Sequence, residues 1–274
     1  MRELVIIAIK EFRDGIRNRW FLGATAALVL FSLSLTFLGS APAGTVGVDQ
    51  LAVTIVSLAS LSVFLLPLMA LLLSYDALVG EVERGTMLLL LTYPLSRSDI
   101  IIGKFLGQTL GLGLATILGF GSAALVLVYG GIESANWMAF GVLIGSSVVL
   151  GAAFVALGLA ISAMPRQRSA AAALAFGVWL CLVIVYDMAL LGALVADGGE
   201  GISAPVFDML LTVNPADAFR MINLSGFEDV RVAAGLVISD LEGIGNGFAP
   251  VLSLGMWVVV PLILAVVLFR RKQL

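Results

Sequence analysis

Apolar residues in this 274-residue chain fall in long runs broken by short polar stretches, and strict alternation is missing. A helix crossing a bilayer needs about 20 mostly apolar residues. Six runs meet that length: Trp20–Gly39, Ala52–Ser74, Phe105–Tyr129, Met138–Ser162, Ala170–Ala196 and Pro250–Phe269. A transmembrane β-barrel would need alternating segments instead, and only helices satisfy their own backbone amides within a single lipid-exposed segment. The expected fold is an all-α integral membrane protein with six transmembrane helices, one domain over residues 1–274.

The polar stretches are not empty connectors. Ahead of the first run, Val5, Ile9, Phe12, Ile16 and Trp20 recur at helical spacing, while Lys10, Arg13, Asp14 and Arg17 take another face. That predicts an amphipathic helix over 1–19 lying in the interface with its basic side toward headgroups, either as a plain anchor or as an elbow under a moving bundle. Ala41-Pro42-Ala43 has the form of a signal-peptidase site, but the preceding apolar run is longer than a signal core, so residues 1–20 are expected to be retained.

Between spans 2 and 3 the chain reads YDALVGEVERGTMLLLLTYPLSRSDIIIGK over 75–104. Gly85-Thr86 offers a helix break, Met87–Leu91 is apolar again, and Tyr93-Pro94 stops the helix. Ser96 with Asp99 three residues on has capping-box form for span 3, and Lys104 is placed to snorkel to the headgroups. A short helix at the membrane surface, ending in an apolar run that needs lipid or a protein to cover it, is the expectation.

The outer stretch 197–249 carries ten charged residues, eight of them acidic: Asp197, Glu200, Asp208, Asp217, Glu228, Asp229, Asp240 and Glu242, with Arg220 and Arg231. Asn214-Pro215-Ala216-Asp217 combines an N-cap residue, a proline at N1 and an acid at N3, which predicts a helix start. Phe207, Leu210 and Leu211 predict an amphipathic helix before it, Val230–Ile238 is a third apolar patch, and Gly243–Gly247 a turn. The segment reads as a small helical cap, serving as a lid or as a docking surface. Asp187, about ten residues from the outer end of span 5, is an intramembrane polar candidate; the plainer reading places it beside Arg220 or Arg231.

Composition agrees and excludes chemistry. Hydrophobic residues reach 61% and charged residues only 12%, against roughly 45–50% and 25% in soluble proteins. There is no histidine, and Cys181 is the one cysteine, so histidine catalysis, intrachain disulfides and thiolate cages are excluded. Thirteen of the 15 basic residues flank the spans on one side, which predicts that both termini are cytoplasmic. Trp20, Tyr75, Tyr129 and Trp137 fall at span ends, as interfacial aromatics should. Gly103-Lys104 lacks the glycines of a phosphate-binding loop, so ATP is not expected to bind this chain. Asp76 and Asp187 belong to opposite membrane faces and cannot form the carboxylate pair of an aspartyl protease.

The amphipathic start, the six spans and the order Glu…Gly-Thr…Leu-Leu…Pro…Arg…Gly-Lys between spans 2 and 3 resemble ABC-2-type permeases. The resemblance implies that residues 75–104 hold a coupling helix docking into a separate ATPase, with Asp76, Gly80, Glu81, Glu83, Arg84, Gly85, Thr86 and Met87 at the contact. Within that family, YDALVGE–GTMLLLLTYPL, NPADAFRMINLSGF and the chain length look like permeases serving maturation of the copper enzyme nitrous oxide reductase in denitrifying bacteria. That implies a bacterial inner-membrane homodimer, two cytoplasmic ATPase subunits holding ATP and Mg, and a periplasmic partner met by Asp208, Asn214, Pro215, Asp217, Phe219 and Arg220. Lipids are expected partners and nucleic acid is not; a catalytic role and a bound cofactor are not expected either. Spans poor in polar groups suit transport of a small or lipid-like solute, or mechanical transmission with nothing passing. Export of an unrelated hydrophobic molecule stays open beside them. Nine scattered methionines, with Met209 and Met221 the outer pair, make no metal site.

Overall fold

The computed structural model describes residues 2–46, 50–92, 95–131, 137–196, 203–224 and 248–272. The expected helix stop at Tyr93-Pro94, the patch Val230–Ile238, the turn Gly243–Gly247 and the charged residues Asp197, Glu200, Glu228, Asp229, Arg231, Asp240 and Glu242 lie outside them. Within them the chain forms α1 (Arg2–Arg17), α2 (Arg19–Val46), α3 (Gln50–Ser74), α4 (Val79–Glu83), α5 (Thr86–Leu91), α6 (Arg97–Tyr129) and α7 (Trp137–Ala163). Then come α8 (Arg168–Leu180), a π-helical turn (Cys181–Val185), α9 (Tyr186–Ala196), α10 (Ala204–Val213), α11 (Pro215–Leu224) and α12 (Ala249–Arg271). No strand occurs among the described residues.

Six stretches are long and apolar enough to cross a membrane: α2, α3, α6, α7, the α8–α9 pair and α12. These are the six runs of the sequence. Helix α6 begins at Arg97, earlier than the apolar run, because the Ser96–Asp99 capping box forms: Ser96 Oγ accepts from the Asp99 amide at 3.1 Å and Asp99 Oδ2 accepts from the Ser96 amide at 3.3 Å.

Helix α7 is the axis of the bundle. Two thirds of its span is buried (67%), against 6% for the α8–α9 span, so the first is surrounded and the second lies on the outside. Helices α3, α6 and α12 pack on α7, α2 packs on α3 and α6, and α8 touches α3 and α7. Without a hydrophobic force between helices in lipid, such contacts rest on close approach at small residues. Gly158 of α7 is one case: a Cβ there would sit 1.8 Å from Ser74 Oγ on α3.

Helix α1 forms over the expected stretch and seats a face of its own on the bundle. It packs along α6, burying Ile7 and Ala8, whereas Val5 and Ile9 are exposed and Phe12 and Ile16 are half-buried. The face is chosen by α6, where Gly103 and Gly107, one turn apart, form a notch. A Cβ at Gly107 would lie 2.4 Å from the Ala8 carbonyl oxygen and 2.7 Å from Glu11 Cβ. The spacing Gly103-x-x-x-Gly107-x-x-x-Gly111 in the sequence carries this signal.

Gly107→Ala is expected to lower stability by about 1–3 kcal/mol through overpacking, read as a drop in the thermal unfolding midpoint of the purified chain in detergent. Gly145→Ala is the control, since no atom lies within 4 Å of its added Cβ. It should leave the midpoint unchanged or raise it slightly.

Candidate functional site: charge clusters at the two ends of the bundle

Leaving α3, the chain turns over Tyr75–Leu78 into α4. The amides of Leu78 and Val79 donate to Ser162 Oγ at 3.0 and 3.1 Å, so a hydroxyl at the end of α7 satisfies the first donors of α4. Gly80 lies against the Asp76 carboxylate, where a Cβ would come within 2.2 Å of Oδ1. Arg168, at the start of α8, grips that carboxylate through Nε at 2.6 Å and Nη2 at 2.8 Å, with Arg84 at 3.6 Å. Gly85, at φ 72°, makes the corner between α4 and α5 in a left-handed conformation that favours glycine.

Lys104 sits two turns into α6, and its side chain is only 2% exposed. Its Nζ lies 2.7 Å from Glu11 Oε1 on α1 and 2.8 Å from Glu81 Oε1 on α4. Lys10 completes the cluster, 3.2 Å from Glu11 and 3.7 Å from Glu81. Lys10 also lies 3.4 Å from the exposed Asp14, and the two cations together compensate the cost of burying Glu11 and Glu81. Burial pushes the Glu11 carboxyl up, but Lys104 and then Lys10 outweigh it and hold the group below its usual range. Lys104 therefore does not snorkel to the headgroups as expected; it is locked between three helices.

The same end gathers the C-terminus. Arg97 donates to the carbonyls of Phe269, Arg270 and Lys272, and Lys272 Nζ donates to those of Ala163 and Pro165. Cations here satisfy the orphan carbonyls at the ends of α12 and α7.

The eight residues expected at a coupling contact divide into two groups. Glu83, Arg84, Gly85 and Thr86 are exposed on the α4–α5 corner. Gly80 and Met87 are buried, Glu81 is taken up by Lys104, and Asp76 is held by Arg168. Those four turn inward and hold the corner in place. Of the apolar run expected to need a cover, Leu88 and Leu89 are the exposed members beside the corner, 59% and 67%, and neither is among the eight expected contact residues. The apolar run was visible, but which of its members face outward depends on Met87 packing into the core.

At the opposite end α10 and α11 lean into the bundle, α11 packing on α12, α7 and α3. Asn214 joins them to span 5: its Oδ1 accepts from the Ala216 amide at 3.0 Å, an N-cap contact, while its Nδ2 donates to Leu182 O in the π-helical turn at 2.8 Å. Asn223 reaches Ser146 Oγ on α7 at 2.9 Å. Asn214, Pro215, Asp217 and Phe219, expected to face an outer partner, are buried instead, because α11 fills the space between spans with its apolar face. Asp208 and Arg220 are half-buried. Asp187 is paired with Arg220, as the plainer reading placed it, and Arg220 also donates to Asp217 Oδ1 at 2.7 Å. Arg231 lies outside the described residues. Among the described residues no three His, Cys, Asp or Glu side chains gather into a group able to hold a metal ion.

Residues 5–274 match the family described as ABC-2 family transporter protein. A probable ABC transporter permease protein NosY from Pseudomonas aeruginosa is 46% identical over 273 residues, 98% of each chain. A second probable ABC transporter permease protein NosY, from Stutzerimonas stutzeri, is 43% identical over 275 residues, 99% of each chain.

Removing the central cation should be costly. Lys104→Met leaves Glu11 and Glu81 with only the half-exposed Lys10 between them, and a loss of about 3 kcal/mol is expected from breaking the buried pairs, measured by thermal unfolding in detergent. Glu11, with its depressed value, contributes stability that is full above the ordinary carboxylate range and lost as pH falls through that depressed value. Glu11→Gln should therefore flatten the acid limb of the stability profile.

Proposed function

The chain belongs to the ABC-2 transporter family, and from that premise we propose that it is the permease subunit of a complex driven by a separate cytoplasmic ATPase. The basic end faces the cytoplasm, with both termini there, and the acidic outer end faces the periplasm across a bacterial inner membrane. ATP and Mg belong to the ATPase, a NosF-type subunit present in two copies on a homodimer of this chain. The chain itself does no catalysis. A NosD-type periplasmic protein completes the assembly, which serves maturation of the copper site of nitrous oxide reductase.

One observation carries the coupling role. The α4–α5 corner exposes Glu83, Arg84, Gly85, Thr86, Leu88 and Leu89, and its base is clamped by ionic contacts of Glu81 and Asp76 to α6 and α8. A small surface with charged and apolar groups suits a protein partner, and its rigid base lets a push at the corner reach α1, α6 and α8 together. No ionised group lies between Lys104 and the outer cluster along α3, α6 or α7, which supports mechanical transmission over passage of a hydrophilic solute. Metal handling falls to the partners, since this chain has neither histidine nor a second cysteine.

Glu83→Lys combined with Leu88→Ser should abolish co-purification of the ATPase and reduce nitrous oxide reduction in a complemented deletion strain, with the unfolding midpoint unchanged. Glu81→Lys should instead lower that midpoint. Retained ATPase binding by the double variant would overturn the assignment of the corner.

A further inference from the structure

We propose that the outer end of this chain binds one proton between the carboxyl groups of Asp187 and Asp217, and that this proton fastens the α10–α11 pair to span 5. The role of the outer helices in partner binding is not used in the argument, so this inference stands apart from the proposed function.

The geometry is a charge imbalance around one buried carboxyl group, that of Asp217, with Arg220 28% and Asp187 25% exposed beside it. One guanidinium nitrogen, Arg220 Nη1, donates to Asp187 Oδ2 and to Asp217 Oδ1. That brings the two carboxyl groups to the same nitrogen, side by side. The remaining oxygens, Asp187 Oδ1 and Asp217 Oδ2, are buried and have no hydrogen-bond partner. The Asp217 side chain is only 4% exposed, so water does not reach it freely. With both acids ionised the cluster would carry one uncompensated negative charge, together with two unsatisfied buried oxygens. One proton corrects both faults: as Asp217 Oδ2–H it donates to Asp187 Oδ1, and two carboxyls with one charge then match one arginine.

The neighbouring elements supply no alternative cation among the described residues. Helices α3 and α7 contain no ionisable residue, and those of α12 are Arg270 and Arg271 at its far end. Helix α10 brings Asp208, which adds no positive charge. Tyr186 of span 5 is engaged elsewhere, its hydroxyl donating to Leu210 O at 2.6 Å. Burial, with Asp187 beside it, pushes the Asp217 carboxyl up to about 7 in spite of Arg220. The proton comes from the outer solvent and returns there. When it leaves, two ionised carboxylates repel each other across a single guanidinium, and the clasp on α11 loosens.

Infrared spectroscopy of the full-length chain in lipid nanodiscs tests this directly. Above about pH 5.5 ordinary carboxyls are ionised, so a protonated carboxyl band should stand out, disappear with a midpoint near 7, and be missing from Asp217→Asn. Asp208→Asn should keep it. Amide exchange over residues 204–224, corrected for its intrinsic pH dependence, should quicken above that midpoint in the wild type. Because the Asp217 value is raised on folding, its contribution to stability is full below the ordinary carboxylate range and lost as pH rises to about 7. The unfolding midpoint should therefore fall across that window and level off beyond it. Absence of the band in the wild type overturns the proposal. So does a band that persists in both Asp187→Asn and Asp217→Asn, and the wild-type spectrum decides even where a variant fails to fold.

Discussion

The ammonium group of Lys104 is the point at which three distant stretches of this chain meet. It is almost fully buried and bonds to a carboxylate from α1 and another from α4. A lone charge in that position would be ejected or neutralised. The cluster is stable only when α1, α4 and α6 all arrive, so their relative placement is strongly specified. The glycine notch on α6 makes that arrival possible, because only a residue without a side chain lets the backbone of α1 come close enough for Glu11 to reach Nζ. Remote packing and local charge thus depend on each other.

A second cluster at the far end repeats the device. Lys104 and Lys10 face Glu11, Glu81 and the exposed Asp14, whereas Arg220 faces Asp187 and Asp217. The first ties α1, α4 and α6 together and suits a rigid joint. In the second, one cation among the described residues serves two carboxylates, which suits a contact that can be released. Between them lies an apolar bundle whose close contacts are made by small residues and whose hydroxyls mostly bond to carbonyls of their own helices, as Ser32, Ser62 and Thr116 do. Charge clusters thus stand at both ends of a packed apolar middle.

Much of this was legible in the residues. The six spans followed from run length, the start of α6 from the Ser96–Asp99 pair, and the start of α11 from Asn214-Pro215. The Gly103, Gly107, Gly111 spacing marks the seat of α1. Other features leave no local trace. Ser162 caps α4 from 83 and 84 residues away, and Lys104 finds Glu11 across 93. The depth of Asp217 could not be read from its sequence neighbours, because an acid at N3 of a helix is just as suitable at an exposed start.

By itself the sequence determined the membrane class, the number of the spans, and which end is basic. Each of these is a sum over neighbouring residues: the free energy of placing some 20 apolar residues in lipid is a property of the segment alone. Only the tertiary structure decided which charges face solvent. It turned Glu81, Met87 and Lys104 inward, left Leu88 and Leu89 outside, and drew Asp217 into the bundle beside Asp187. Burial of a charge is settled by the partners that other helices bring to it, and those partners are distant in the chain.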